Sequence, residues 1–205
     1  CGVQMVWENN TPPRLLTRPG SRTLNRDEAM QAIIEESWLK QPVWYKLYKS
    51  KLVRDICFPV GKYHEDVFWS YQAVGKTSKV SVSDYVGYYY LQRGGSIMGE
   101  GYSIKRLDAI EAKVRRCDYM REHFPQLFAL SLKDLWFSCI YQGQCAVSEL
   151  DSDDAEKVLT FLKSELIANP HQANACTIKE KIWLIMAKIS LAMTCQIRDW
   201  LKIGL

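Results

Sequence analysis

The sequence holds no Cys-x-x-Cys, no His-Glu-x-x-His and no Gly-x-Ser-x-Gly. Nor does it hold an uninterrupted apolar run of the roughly 18 residues that a membrane span needs. Each absence removes a class. Without paired cysteines at ligand spacing a structural zinc site has no framework. Without the nucleophile elbow or the paired histidines, the serine hydrolases and zinc peptidases lose their signatures. The three histidines, His64, His123 and His171, share no ligand spacing. Cysteines number seven, odd and irregularly spaced, which argues against a secreted disulfide framework. They read as reduced thiols that pack as small hydrophobes in a cytosolic protein. Charge of one sign is scarce too. A net +4 over 205 residues is too mild to point to nucleic acid, though it allows a weak pull toward anionic substrates or an anionic membrane. No internal repeat and no low-complexity tract is visible.

What is present suits a soluble globular chain of one domain or one and a half: 47% hydrophobic and 24% charged residues. No signal peptide is read at the start. Residues 1–7 read as a strand, and a start inside a strand leads us to expect a fragment, a processed product or a trimmed chain. Residues 8–25 read as loop from their Pro, Gly and Asn content. Asn25 or a neighbour caps a helix over 26–38, with Asp27 and Glu28 in its first turn. Pro42 breaks the chain before a short helix over 43–54, and 58–62 is a turn. A helix over 66–75 follows, then an alternating strand near 79 and an aromatic strand over 85–90. Residues 93–99 are turn or loop. Past about 103 only helical patterns remain: 104–124, 126–146, 153–168 and 177–202. We therefore expect an α/β part over 1–103 and an α-helical extension over 104–205.

Four stretches of the first part fall in a meaningful order. They are Trp44-Tyr45-Lys46-Leu47-Tyr48, Phe58-Pro59-Val60-Gly61-Lys62, His64-Glu65-Asp66, and the run from Tyr88 through Arg93-Gly94-Gly95-Ser96-Ile97. In this order they resemble the second half of the catalytic domain of the large inverting glycosyltransferase family 2, of the GT-A (Rossmann-like) type. Leu91 and Tyr45 depart from the pattern, where the family often has Arg and Asn. His64 stands where it often has Tyr.

The resemblance implies an enzyme, bacterial in type, that moves a sugar from a nucleotide sugar, UDP-linked by preference, onto a saccharide or cell-surface polymer with inversion. Such chemistry needs a base. An acceptor hydroxyl is a poor nucleophile, and a carboxylate within about 3 Å that takes its proton contributes on the order of 10²–10⁴ in rate. By resemblance that base is Asp66. Glu65 holds the geometry or meets an acceptor hydroxyl, and a helix N-terminus keeps Asp66 ionised. Arg93 and Ser96, in a glycine-rich turn where the backbone can approach an anion, match the family's diphosphate contacts. Lys46 is a further candidate there. A divalent metal, Mn or Mg, is implied for the complete enzyme, with its ligands and the nucleotide-binding strands in a first half outside this chain. The chain is then the acceptor-side half, inactive alone. It is expected to pair with that half or with another copy, in the cytoplasm or peripherally at the inner face of the cell membrane. The alternative is a non-enzymatic helical interaction module, or a subunit that completes its site with a separate chain.

Two tempting motifs are set aside. Asp151-Ser152-Asp153-Asp154 spells the family's metal-binding aspartates but follows the Glu-Asp pair by about 85 residues. It reads as a helix cap, with Asp153 at the N-cap and Glu156 three residues on. Gly75-Lys76-Thr77 ends like a P-loop but lacks the earlier glycine. The last helix, 177–202, carries Ile, Met and Trp among lysines. It can pack on the helices before it, lie on a membrane surface or pair with a partner subunit.

Overall fold

The computed structural model describes residues 1–9, 11–17, 20–36, 38–92 and 101–204. The chain is a mixed α/β protein that divides into two compact units. One comprises Cys1–Gly61 and Glu65–Glu100, the other Lys62–His64 and Gly101–Leu205.

In chain order the first unit contains β1 (Gly2–Trp7), β2 (Arg14–Thr17), β3 (Arg22–Asn25), α1 (Arg26–Glu35), α2 (Ser50–Val53), α3 (Glu65–Gly75), β4 (Lys79–Val82) and β5 (Val86–Gln92). β1 is the middle strand of a mixed sheet ordered β2-β1-β5, antiparallel to β2 and parallel to β5. Parallel partners cannot be joined by a tight turn, so the chain between them runs through helices. Both neighbours of β1 thus come from this chain. β3 and β4 form a separate antiparallel pair, Arg22 opposite Val82 and Asn25 opposite Lys79.

α1 begins at a capping box. The Asn25 side chain accepts the Glu28 N–H at 2.9 Å, and the Glu28 carboxylate accepts the Asn25 N–H at 2.8 Å. Such a pair satisfies two of the donors that a helix start leaves orphaned. The helix closes at Glu36, whose φ of 48° is left-handed, three residues short of the sequence expectation. Ala29, Met30, Ile33 and Ile34 are buried on its inner side.

Two expectations fail here. Residues 8–25 are not all loop, because β2 and β3 lie within them. Residues 43–54 are not one helix, since only Ser50–Val53 is helical. Val43, Trp44 and Tyr45 instead form a turn that buries Tyr45. β-branched and aromatic residues are poor helix formers, and their packing decides.

The second unit is helical: α4 (Asp108–His123), α5 (Pro125–Glu149), α6 (Ser152–Ala168), α7 (Ile178–Ile189) and α8 (Leu191–Trp200). One core serves them, with Ile110, Leu135, Ile140, Leu162, Leu184 and Cys195 among its members. The single long helix expected over 177–202 is two. Ser190 ends α7 by donating its N–H to Met186 O at 2.9 Å, and starts α8 by accepting the Met193 N–H at 3.2 Å. The acidic cap of α6 is Asp151, not Asp153. Its carboxylate accepts the Asp154 N–H at 3.0 Å, and Asp154 pairs with Lys157 at 2.7 Å. Within the core sits an ion cluster. Arg116, fully buried, reaches Asp134, which Lys113 also approaches at 2.8 Å.

No disulfide is formed among the described residues, and Cys117, Cys139, Cys145 and Cys195 are buried thiols. No helix among the described residues is long and apolar enough to cross a membrane.

Candidate functional site

Apart from Lys62 and His64, which fall in the second unit, the described residues of the sequence-marked segments lie in the first unit, with α3 among them. Glu65 and Asp66 occupy its first turn. Just before them the backbone is strained to a left-handed form at His64, φ 58°, a conformation uncommon for a side chain with a Cβ. Gly61, at φ 76°, takes the same form freely in the turn that precedes it.

Glu65 is exposed, whereas Asp66 is half-buried. Burial pushes the Asp66 carboxyl above the usual range, the Glu65 carboxylate adds to the shift, and the Val67 amide and Lys46 pull against it. Helix N-terminus and burial thus act in opposite directions on Asp66. The dipole there favours ionisation by a few tenths to one kcal/mol, and desolvation beside a second carboxylate outweighs it. A base raised toward neutrality is the stronger proton acceptor once ionised.

Lys46 is half-buried. Its ammonium donates to the carbonyls of Lys40, at 2.6 Å, and of Pro42. It also lies 4.0 Å from the Tyr45 ring centroid. Burial lowers it to about 7, against the attraction of Asp66 and Glu36. Lys46 thus tethers the turn it sits on and places a titrating cation within electrostatic reach of Asp66. Tyr45 is fixed from its other end. Its hydroxyl donates to Lys40 O at 2.8 Å, and burial drives its own ionisation upward.

Aromatic contacts bind the segments together. Trp44 stacks on Tyr90 at 4.9 Å and lies 4.6 Å from Tyr88. These are alternate residues of β5 and so share a face. Tyr48 meets Trp69 of α3 edge-on at 4.8 Å, and Phe58 stacks on the same indole at 5.1 Å. The Trp69 N–H is satisfied by Ile56 O at 3.0 Å. Ser70 ties α3 to the Gln41 carbonyl at 2.7 Å. The residues 44–48, 58, 65–69 and 88–90 therefore converge within one unit, with Asp66 and Lys46 in mutual reach. Trp44 and Tyr45 belong to the first marked stretch, but their packing role, Trp44 on β5 and Tyr45 buried under Lys46, was not read from the sequence. The period-two Tyr88 and Tyr90 are the signal that an aromatic partner was wanted on that face.

Arg93 and Ser96 lie outside the described residues. No group of three or more His, Cys, Asp or Glu among the described residues could hold a metal, and the aspartates at 151–154 are engaged in capping and pairing with lysine. A shallow hollow of about 650 Å³ in the second unit is lined by α6 alone, by Asp153, Glu156, Lys157, Thr160, Phe161 and Ser164. It gathers no convergent chemistry. Comparison with protein-family models, with curated proteins and with solved structures gives no match.

Proposed function

We propose that the chain is the acceptor-side part of an inverting GT-A-type glycosyltransferase. It would transfer a sugar from a nucleotide sugar, UDP-linked by preference, to a saccharide or cell-surface polymer acceptor. The observation that carries this reading is the gathering of its four motif segments, as far as they are described, around a half-buried carboxylate of raised pKa on the first turn of α3.

In the reaction Asp66 takes the proton of the acceptor hydroxyl as the oxygen attacks the anomeric carbon, and the nucleoside diphosphate leaves from the opposite face. Glu65, exposed one residue away, holds an acceptor hydroxyl. Its charge also keeps Asp66 a strong base. Lys46 moderates that charge, and its tether fixes the turn that carries Tyr45. Arg93 and Ser96 meet the departing diphosphate. The nucleotide-binding strands and any metal ligands belong to a part of the enzyme outside this chain, and no step here is assigned to a metal.

With that nucleotide-binding part present, Asp66→Asn keeps donor binding and lowers turnover by on the order of a hundredfold or more, because only the base is removed. Release of nucleoside diphosphate in the presence of acceptor measures it. Turnover near the unaltered value removes Asp66 from the role and favours a non-enzymatic interaction module.

A further inference from the structure

α7 presents an uncovered apolar stripe. Ile178, Ile182, Ile185 and Ile189 are 79%, 53%, 55% and 77% exposed. At about 100° per residue their spacing of four, three and four places them in one line along the helix. Leu184 and Ala187, which anchor α7 in the core, lie on the opposite side. The stripe has a cationic rim. Lys179 flanks it on one side, Lys181 and Lys188 on the other, all three exposed. The single carboxylate of α7, Glu180, is turned to the core side and held by Lys133 at 2.8 Å. On α8, packed against α7, Met193 and Trp200 are 52% and 80% exposed on the side away from buried Leu191 and Cys195.

We infer that α7, with the outer side of α8, is a docking face for the surface of an anionic lipid bilayer. The charge pattern selects this occupant. A second copy would bring the same lysines to the rim, while Glu180 of α7 is already held by Lys133 and Asp199 of α8 is half-buried, so neither answers them fully. A bilayer with acidic headgroups accepts the isoleucines at its acyl boundary while the lysine stems run up to the phosphates. The exposed indole of Trp200 suits the same headgroup level. α7 has 12 residues, about 18 Å at the helical rise, so it lies on the surface and does not cross. The inference does not depend on the catalytic reading.

Co-sedimentation of the full chain with vesicles tests it. One set is phosphatidylcholine alone, the other phosphatidylcholine mixed with phosphatidylglycerol. The unaltered chain binds the anionic set roughly a hundredfold more tightly than the neutral one, since each of the three lysines at such a surface contributes about a factor of five. Replacing Lys179, Lys181 and Lys188 by Gln loses about that hundredfold. Ile182→Glu with Ile189→Glu abolishes binding while helical circular dichroism is kept, because both positions are exposed. The inference is overturned if the unaltered chain stays in solution with the anionic vesicles, or if the double Glu variant still binds them. It is equally overturned if light scattering shows a dimer that the double Glu variant dissolves, for then a second copy covers the stripe.

Discussion

A carboxylate in the first turn of a helix is ordinarily a stabilising group, and Asp66 is not. Burial and Glu65 raise its pKa, so the fold prefers the protonated form. For a raised carboxyl the contribution to stability is full below the unfolded value, about 3.9. It is lost as pH rises through the folded one. Asp66→Asn should therefore raise the melting temperature at pH 7, with the gain vanishing in acid. A neutral or lower melting temperature at pH 7 would show that the carboxylate is well solvated. Asp134 is the reverse case. Burial pushes it up, but Lys113 and Arg116 beside it more than reverse that and hold its carboxyl low. Its contribution is present above the unfolded value and is lost as pH falls through the folded one. Asp134→Ala strands the fully buried Arg116, whose Nη1 already lacks a protein partner. The expected loss is about 3 kcal/mol, at the low end for a broken buried pair because a quarter of the Asp134 side chain is exposed. Urea unfolding measures it, and a loss below about 1 kcal/mol, the range of surface pairs, would mean that water reaches Arg116.

Between elements, three helices come close at Gly143, in the C-terminal third of α5. A Cβ built there would stand 2.7 Å from Cys195 Sγ of α8 and 3.2 Å from Leu159 of α6. Gly to Ala in a helix gains up to about 1 kcal/mol of propensity, whereas overpacking a filled core costs about 1–3 kcal/mol. Cys195 is fully buried and its short side chain cannot swing away. Gly143→Ala should thus destabilise, and adding Cys195→Ala should recover part of the propensity gain, a coupling that a double-mutant cycle reads. Additive effects would mean that α5 and α8 stand farther apart at Gly143 than 2.7 Å from Cβ to Sγ allows. The same elements mark what the sequence reveals and what it hides. The cap at Asn25, the start of α3 and the aromatic strand β5 were legible, because each has a local signal: a cap residue before acids, first-turn acids, period-two tyrosines. β2 and β3 were hidden, since four residues between prolines and glycines are too short to show alternation. The break at Ser190 was hidden as well. Serine interrupts an apolar run without Gly or Pro, and only the capped geometry reveals two helices. The acids 65 and 66 were legible as a pair, but the sign of the Asp66 shift was not. It depends on burial that only the packed chain defines.

At the scale of the whole molecule the chain carries two kinds of interior. The first unit mixes small sheets with α1 and α3, and packs Trp69 and Ile56 with partly buried Val43, Tyr48 and Val53 in an aromatic-rich cluster. The second is an all-helical core filled by Leu, Ile and buried thiols, with the Arg116 cluster inside it. Each unit has its own hydrophobic core, the condition for a separate cooperative transition. The second draws on contacts between helices adjacent in sequence, α4 with α5 and α5 with α6. The first depends on the β1–β5 pairing across some eighty residues, which closes a long loop before it gains anything. Equilibrium unfolding in urea should accordingly show two transitions. Tryptophans report both, since Trp44 and Trp69 lie in one unit and Trp136 and Trp183 in the other. The decisive step is to follow variants already described. Asp134→Ala should move only the transition seen in the far-ultraviolet helical signal, and Asp66→Asn only the one seen by the aromatic cluster. A single transition that both variants shift by the same route would show that the two units fold as one cooperative body. In that case the effects at Asp66 and Asp134 would have to be read against one common unfolding equilibrium.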